Sequence, residues 1–105
     1  MAVKCIVRRR AADQDVETII DYYLGEAGSE VALGFVDALE AALLHISRHP
    51  GTGSPEYAVE LGIPGLRSWS PGRYPHLVFY FDKADEVEVW RVLHDMLDLP
   101  RRLRE

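Results

Sequence analysis

A chain of 105 residues with a formal net charge of −5 has room for one core under two or three layers of secondary structure, and its acidic balance excludes a surface built throughout to grip a phosphate backbone. A single cysteine excludes an internal disulfide and any zinc site made of paired cysteines. No run reaches the roughly 18–20 uncharged apolar residues of a membrane span, and in MAVKCIVRRRAA the charges follow the apolar stretch, the reverse of a signal peptide. The expectation is a cytoplasmic protein, one domain over residues 1–105.

The first segment, VKCIVRR, alternates Val3, Cys5 and Val7 with Lys4, Ile6 and Arg8, which predicts a strand whose Val3/Cys5/Val7 face is the more buried. Cys5 reads there as a small packed hydrophobe. Asp13 is placed to cap a helix whose apolar positions, Val16, Ile19, Ile20, Tyr23 and Leu24, keep the i, i+3, i+4, i+7, i+8 rhythm, with Gly25 as its end. Gly28-Ser29 opens a second helix carrying Ala32, Phe35, Val36, Leu39, Leu43 and Ile46, stopped near Arg48 by His49-Pro50-Gly51. The short link predicts an antiparallel helical hairpin. Between Asp13 and Glu40 lie eight acids (Asp13, Asp15, Glu17, Asp21, Glu26, Glu30, Asp37, Glu40) and no Lys or Arg, so this face repels nucleic acid.

From Pro50 to Gly65 the chain is rich in turn residues, interrupted by YAVEL, read as a short edge strand. LRSWS predicts a strand, SPGRYP a turn, and HLVFYFDK with EVEVWRVLH a hairpin about Lys83-Ala84-Asp85. The order β-α-α-β-β-β predicts an α+β sandwich, an antiparallel sheet packed against the N-terminal helical hairpin and followed by a short C-terminal tail or helix. Both faces of the last hairpin are apolar: Leu77, Phe79 and Phe81 against Val78 and Tyr80 on one strand, Val87, Val89 and Leu93 against Trp90 and Val92 on the other. Helices on one side leave the second face in need of cover. Docking of Met96 to Leu103 supplies part of it; for the remainder, a partner chain and a semi-buried aromatic rim are both open.

Two groups of residues invite a chemical reading. His45 and His49 are i, i+4, but HISRH lacks a glutamate after the first histidine and no third ligand is evident, so no metal is expected; a histidine near a helix C-terminus is favoured by the helix dipole in any case. His94 with Asp95 or Asp98 has the make-up of a general base oriented by a carboxylate, with Arg67 and Arg91 on neighbouring predicted strands to stabilise a phosphorane-like charge. The simpler reading is strand termination, with Asp98 capping a final turn, Pro100 at its start and His94 bonded to backbone. Ser68, Ser70, His76 and Asp82 have no nucleophile-base spacing, and GTGSP lacks the lysine of a phosphate-binding loop.

The N-terminal strand, the hairpin ending in xHP, LRSW followed by Gly72-Arg73-Tyr74, HLVFYF and above all VWRVLHDMLDLPRRL together resemble the ParE toxins of the RelE/ParE superfamily, the toxic halves of bacterial toxin-antitoxin modules tied to plasmid stabilization and growth arrest. The resemblance spans essentially the whole chain and is most specific in the closing strand and tail. It implies a ParD-like antitoxin whose flexible portion wraps the toxin in a hetero-oligomeric complex, DNA gyrase as the target, and no cofactor; RelE-like relatives instead cut messenger RNA in the ribosome. It also implies roles. Arg67 and Arg91 fall where RNA-cleaving relatives bind phosphate, and His94 falls near a catalytic histidine, yet MLDLPRRLRE holds no tyrosine and the chain only two lysines, Lys4 and Lys83. The expected toxin is therefore a binding poison, without catalytic residues, that presents Arg67, Trp69, Arg91, His94, Arg101, Arg102 and Arg104 to its target. Tyr22, Tyr23, Phe35 and Trp90 are the expected antitoxin contacts, and the alternative is a metal-independent endoribonuclease using Arg67, Arg91 and His94.

Overall fold

A computed structural model describes residues 3–95. Strand β1 (Cys5–Arg8) leads into the helical hairpin α1 (Arg10–Glu26) and α2 (Ser29–Arg48); a 3₁₀ turn (Pro50–Thr52) and a short helix α3 (Glu56–Leu61) then precede β2 (Leu66–Trp69), β3 (His76–Asp82) and β4 (Glu86–His94). The sheet order is β1-β4-β3-β2, antiparallel except that β1 runs parallel to β4. The expected antiparallel sheet is thus a mixed one, because β1 is joined to the rest through the helical hairpin rather than a tight turn and nothing forces it to reverse direction.

β1 also faces the other way. Ile6 packs against the core, whereas Val3, Cys5 and Val7 are exposed, so Cys5 is a surface thiol and not a packed hydrophobe. With charged residues before and after a four-residue strand, one-residue alternation alone did not say which face was inward.

The helix boundaries fall close to the expected ones. Asp13 is not the cap, since α1 starts at Arg10 and Asp13 sits in its first turn with its carboxylate 3.1 Å from Arg8 Nε. The helix runs past Gly25 to Glu26, and Gly28, at φ 93°, makes the reversal into α2. Phe35, Leu39 and Ile46 of α2 join Ala12 of α1 and Val78, Tyr80, Val87, Val89 and Val92 of the sheet in the main core.

YAVEL is helical, not an edge strand. Ser54 Oγ accepts the Glu56 N–H at 3.2 Å, and Gly62, at φ 67°, closes α3 in the left-handed conformation that a glycine reaches without strain. This helix changes the account of the second sheet face. Leu66, Phe79 and Leu93 are buried there beneath Tyr57, Ala58, Leu61 and Ile63, flanked by Leu77, Phe81 and Trp90, so the chain itself supplies cover over this cluster. The side-chain alternation is reset by a β-bulge: Tyr80 pairs with Val89 but Phe79 pairs with Arg91, leaving Trp90 as an extra residue. Val92 therefore joins Val87 and Val89 in the main core, and Leu93 goes with Trp90 to the other face, the reverse of a strict two-residue count.

Candidate functional site

The second half of α1 stands off the ends of β3 and β4 and leaves a cleft of about 530 Å³, lined by Thr18, Ile19, Tyr22, Tyr23, Pro75, His76 and His94. Local sequence explains its shape. The apolar stripe of α1 seats the helix on the sheet, and one acid on that stripe fixes its position: Asp15, buried, accepts Arg91 Nε at 2.7 Å, Arg91 Nη2 at 2.9 Å and the Val92 N–H at 3.0 Å. This is a bidentate, charge-assisted clamp between α1 and the strand just past the bulge.

His76 and His94 are cross-strand partners at the open end of the β3–β4 hairpin, with ring centroids 5.3 Å apart. The His76 ring is 5% exposed and packed edge-on against Tyr23 and Phe35, and its Nδ1 is buried with no hydrogen-bond partner among the described residues. Burial, reinforced by the neighbouring His94 and only partly opposed by Asp95, holds its pKa down at about 4. His76 is thus a neutral imidazole at pH 7. His94 is about one-third exposed, with Nδ1 3.7 Å from Asp95 Oδ1, and the Asp95 N–H bonds to Pro75 O at 2.9 Å.

The residues that sequence assigned to one site are dispersed. Arg67 and Arg91 are not on neighbouring strands, since β3 lies between β2 and β4. Arg67 donates Nη1 to Gly51 O at 3.1 Å and Gly53 O at 2.7 Å, tying the 3₁₀ turn to the sheet. Trp69 faces α2 and stacks on His45 with centroids 4.0 Å apart and ring planes 17° from parallel. His45 and His49 hold structure too: Thr52 donates Oγ1 to His49 O, so His45 Nε2–H is the donor to Thr52 Oγ1 at 2.8 Å. Among the described residues no group of three metal-ligating side chains occurs, and no helix is long and apolar enough to cross a membrane.

Of the residues assigned to antitoxin contact, Tyr22 is 63% exposed and lines the cleft beside Tyr23. Phe35 is fully buried and supports Tyr23 from beneath, with ring centroids 5.8 Å apart. Trp90 lies against Phe81 in the second-face cluster. Asp98, Pro100, Arg101, Arg102 and Arg104 lie outside the described residues.

Three residues that matter to this geometry escaped sequence reading. Asp15 was counted with the acidic helix face, although its i+4 spacing to Ile19 sets it on the apolar stripe. His76 was dismissed for lacking a catalytic neighbour, when its place at the start of an apolar strand pointed to burial. Tyr80 was read as apolar, yet its hydroxyl donates to Pro50 O at 2.6 Å and accepts the Gly53 N–H at 3.0 Å.

Residues 6–98 match the family model described as the ParE toxin of the type II toxin-antitoxin system parDE. The chain belongs to the ParE toxin family. No curated protein matches its sequence closely enough to count as a relative. Among solved structures, one titled "Chromosomal ParDE TA system from P. aeruginosa" superposes with a TM-score of 0.73 at 23% identity, over 88% of this chain and 96% of that one. At that identity the likeness speaks for the fold, and it agrees with a ParE-type α+β architecture.

Proposed function

We propose that this ParE-family chain is a toxin neutralised by a ParD-like antitoxin and that it acts by binding, with DNA gyrase as its target and no bond made or broken by its own residues. The observation that carries this reading is where the two sheet arginines spend their donors. A ribonuclease site needs guanidinium groups aimed at one phosphate beside a proton-transfer group. Here Arg91 is committed to the Asp15 carboxylate and Arg67 to two backbone carbonyls, on strands that do not adjoin. The acidic helical hairpin weighs the same way, since RNA would meet repulsion there.

The likeness to a ParDE structure supports a ParD-like partner. In this reading the antitoxin occupies the cleft edge at Tyr22 and Tyr23, with Phe35 acting from below as support and Trp90 as a separate contact on the other face. The target surface consists of the end of the hairpin at His94 and the arginines beyond it, Arg101, Arg102 and Arg104. Arg67, Trp69 and Arg91 serve that surface as framework.

The test is a gyrase supercoiling assay with purified toxin, with and without antitoxin, run beside a ribosome-dependent RNA cleavage assay. Antitoxin-reversible inhibition of gyrase with intact RNA is expected. Cut RNA with untouched gyrase overturns the proposal and makes His94 and its arginines a catalytic site.

A further inference from the structure

His76 has no part in the function proposed above, yet it is built into the fold at some cost. The residue is buried, and its Nδ1 has no hydrogen-bond partner among the described residues, which a buried polar atom tolerates only at a cost in stability. The elements packed against it offer little compensation for a positive charge, Asp95 opposing the effect of burial only in part. From α1 comes Tyr23, an uncharged phenol whose own ionisation is pushed up by burial and then by Tyr74 and Tyr22. Asp15, which lines a second, smaller pocket together with His76, is already bound to Arg91. From α2 comes Phe35, an apolar ring. The turn before β3 contributes Tyr74, and β4 contributes His94, a second imidazole, followed by Asp95, whose carboxylate is near His94 Nδ1.

We propose that the His76–His94 pair is an acid-sensitive latch: neutral His76 lets the second half of α1 lie on the sheet, and its protonation releases that half and opens the cleft. The two ends of α1 differ in what holds them. Asp15 bonds the first half to Arg91 and Val92, whereas the second half is held by packing, Ile19, Ile20 and Tyr23 lying against the main core and Tyr23 also meeting Phe35, Tyr74 and the His76 ring. Nδ1 has no hydrogen-bond partner among the described residues, so in the latch the imidazolium turns toward the cleft that His76 lines and gives up the edge-on packing of Tyr23.

The direction of the pH effect follows. His76 titrates near 4 in the folded chain against 6.5 in an unfolded one, so between those values the unfolded chain binds more protons and stability falls as pH falls. Well above 6.5 the group has no effect, and well below 4 its penalty is complete. Across the window the folding equilibrium constant drops by up to about tenfold per pH unit, or about fifteenfold between pH 6.5 and 5.

The experiment is NMR on the full-length chain between pH 7 and 4, reading the ring protons of His76 and His94 and the exchange of α1 amides, with urea denaturation of wild type and His76→Phe alongside. The latch requires His76 to titrate well below the ordinary imidazole value of 6.5. It also requires amides of residues 18–24 to lose protection below pH 6.5 while those near Asp15 keep it, and the pH slope of stability to flatten in His76→Phe. His94→Gln, which leaves the buried ring in place, should raise the His76 titration midpoint. An ordinary midpoint for His76, uniform loss of protection along α1, or an unchanged slope in His76→Phe overturns the proposal. If His76→Phe does not fold, the wild-type titration and His94→Gln decide it.

Discussion

Asp15 and Arg91 meet across the interface of α1 and β4 in a two-bond fork, Oδ2 on Nε and Oδ1 on Nη2, with side chains 9% and 12% exposed. A buried pair of this kind adds little net stability over an apolar pair of the same shape, but breaking it strands a charge. Asp15→Ala should therefore cost roughly 3–5 kcal/mol in urea denaturation, while Asp15→Leu with Arg91→Met should recover most of that loss. Equal losses in the single and double variants would mean that the fork is not what joins helix to strand.

A second prediction rests on a close approach. Gly53 has an ordinary extended backbone (φ −64°, ψ 149°), so no conformational demand explains the glycine. A Cβ there would run into the Tyr80 hydroxyl and the ring behind it, whereas one on Gly51 would meet nothing within 4 Å. Gly53→Ala should cost about 1–3 kcal/mol as an overpacked site, and Gly51→Ala should stay within about 0.5 kcal/mol of wild type. Thermal or urea unfolding of the two variants side by side separates them.

How much of this was legible in sequence divides along physical lines. Period and punctuation gave the two long helices, the β3–β4 hairpin and the α+β arrangement, because each is a local pattern. The bulge at Trp90 was not legible: a run such as EVEVWRVLH fits an uninterrupted strand, and only pairing with β3 reveals the extra residue. The same holds for the charges. Arg67 and Arg91 looked alike as strand arginines, and their partners could not be read locally because Gly51, Gly53 and Asp15 arrive from distant parts of the chain. YAVEL was ambiguous at five residues, and Gly62 tipped it toward a helix that no sheet pattern required.

Acid should act on this chain in two separable steps. Glu88 is pushed up by burial, but the bonds from Arg9 and Lys83 outweigh that and leave its pKa below the usual 4.5. Its contribution is present above the unfolded value of 4.5 and is lost as pH falls through the lower folded value, beneath most of the His76 window from 6.5 to about 4. Stability measured against pH in Glu88→Gln should thus keep its decline between 6.5 and 5 and lose part of its decline below 4.5. A variant in which the upper decline disappears instead would assign that step to Glu88 and away from His76.

The arginines offer the sharpest separation of framework from function. Arg67 holds the carbonyls of Gly51 and Gly53, and removing it leaves both without that donor beside the buried Tyr80 hydroxyl. Arg67→Met should lower stability by roughly 1–3 kcal/mol and reduce toxicity only as far as the folded fraction falls. Reversing Arg101 and Arg102 to glutamate should do the opposite, leaving the unfolding midpoint within experimental error while toxicity drops and antitoxin binding persists. Growth assays with antitoxin pull-down and unfolding curves on both variants check this. Full toxicity in the reversed tail would remove those arginines from the target surface, and abolished toxicity in a fully folded Arg67→Met protein would return Arg67 to it.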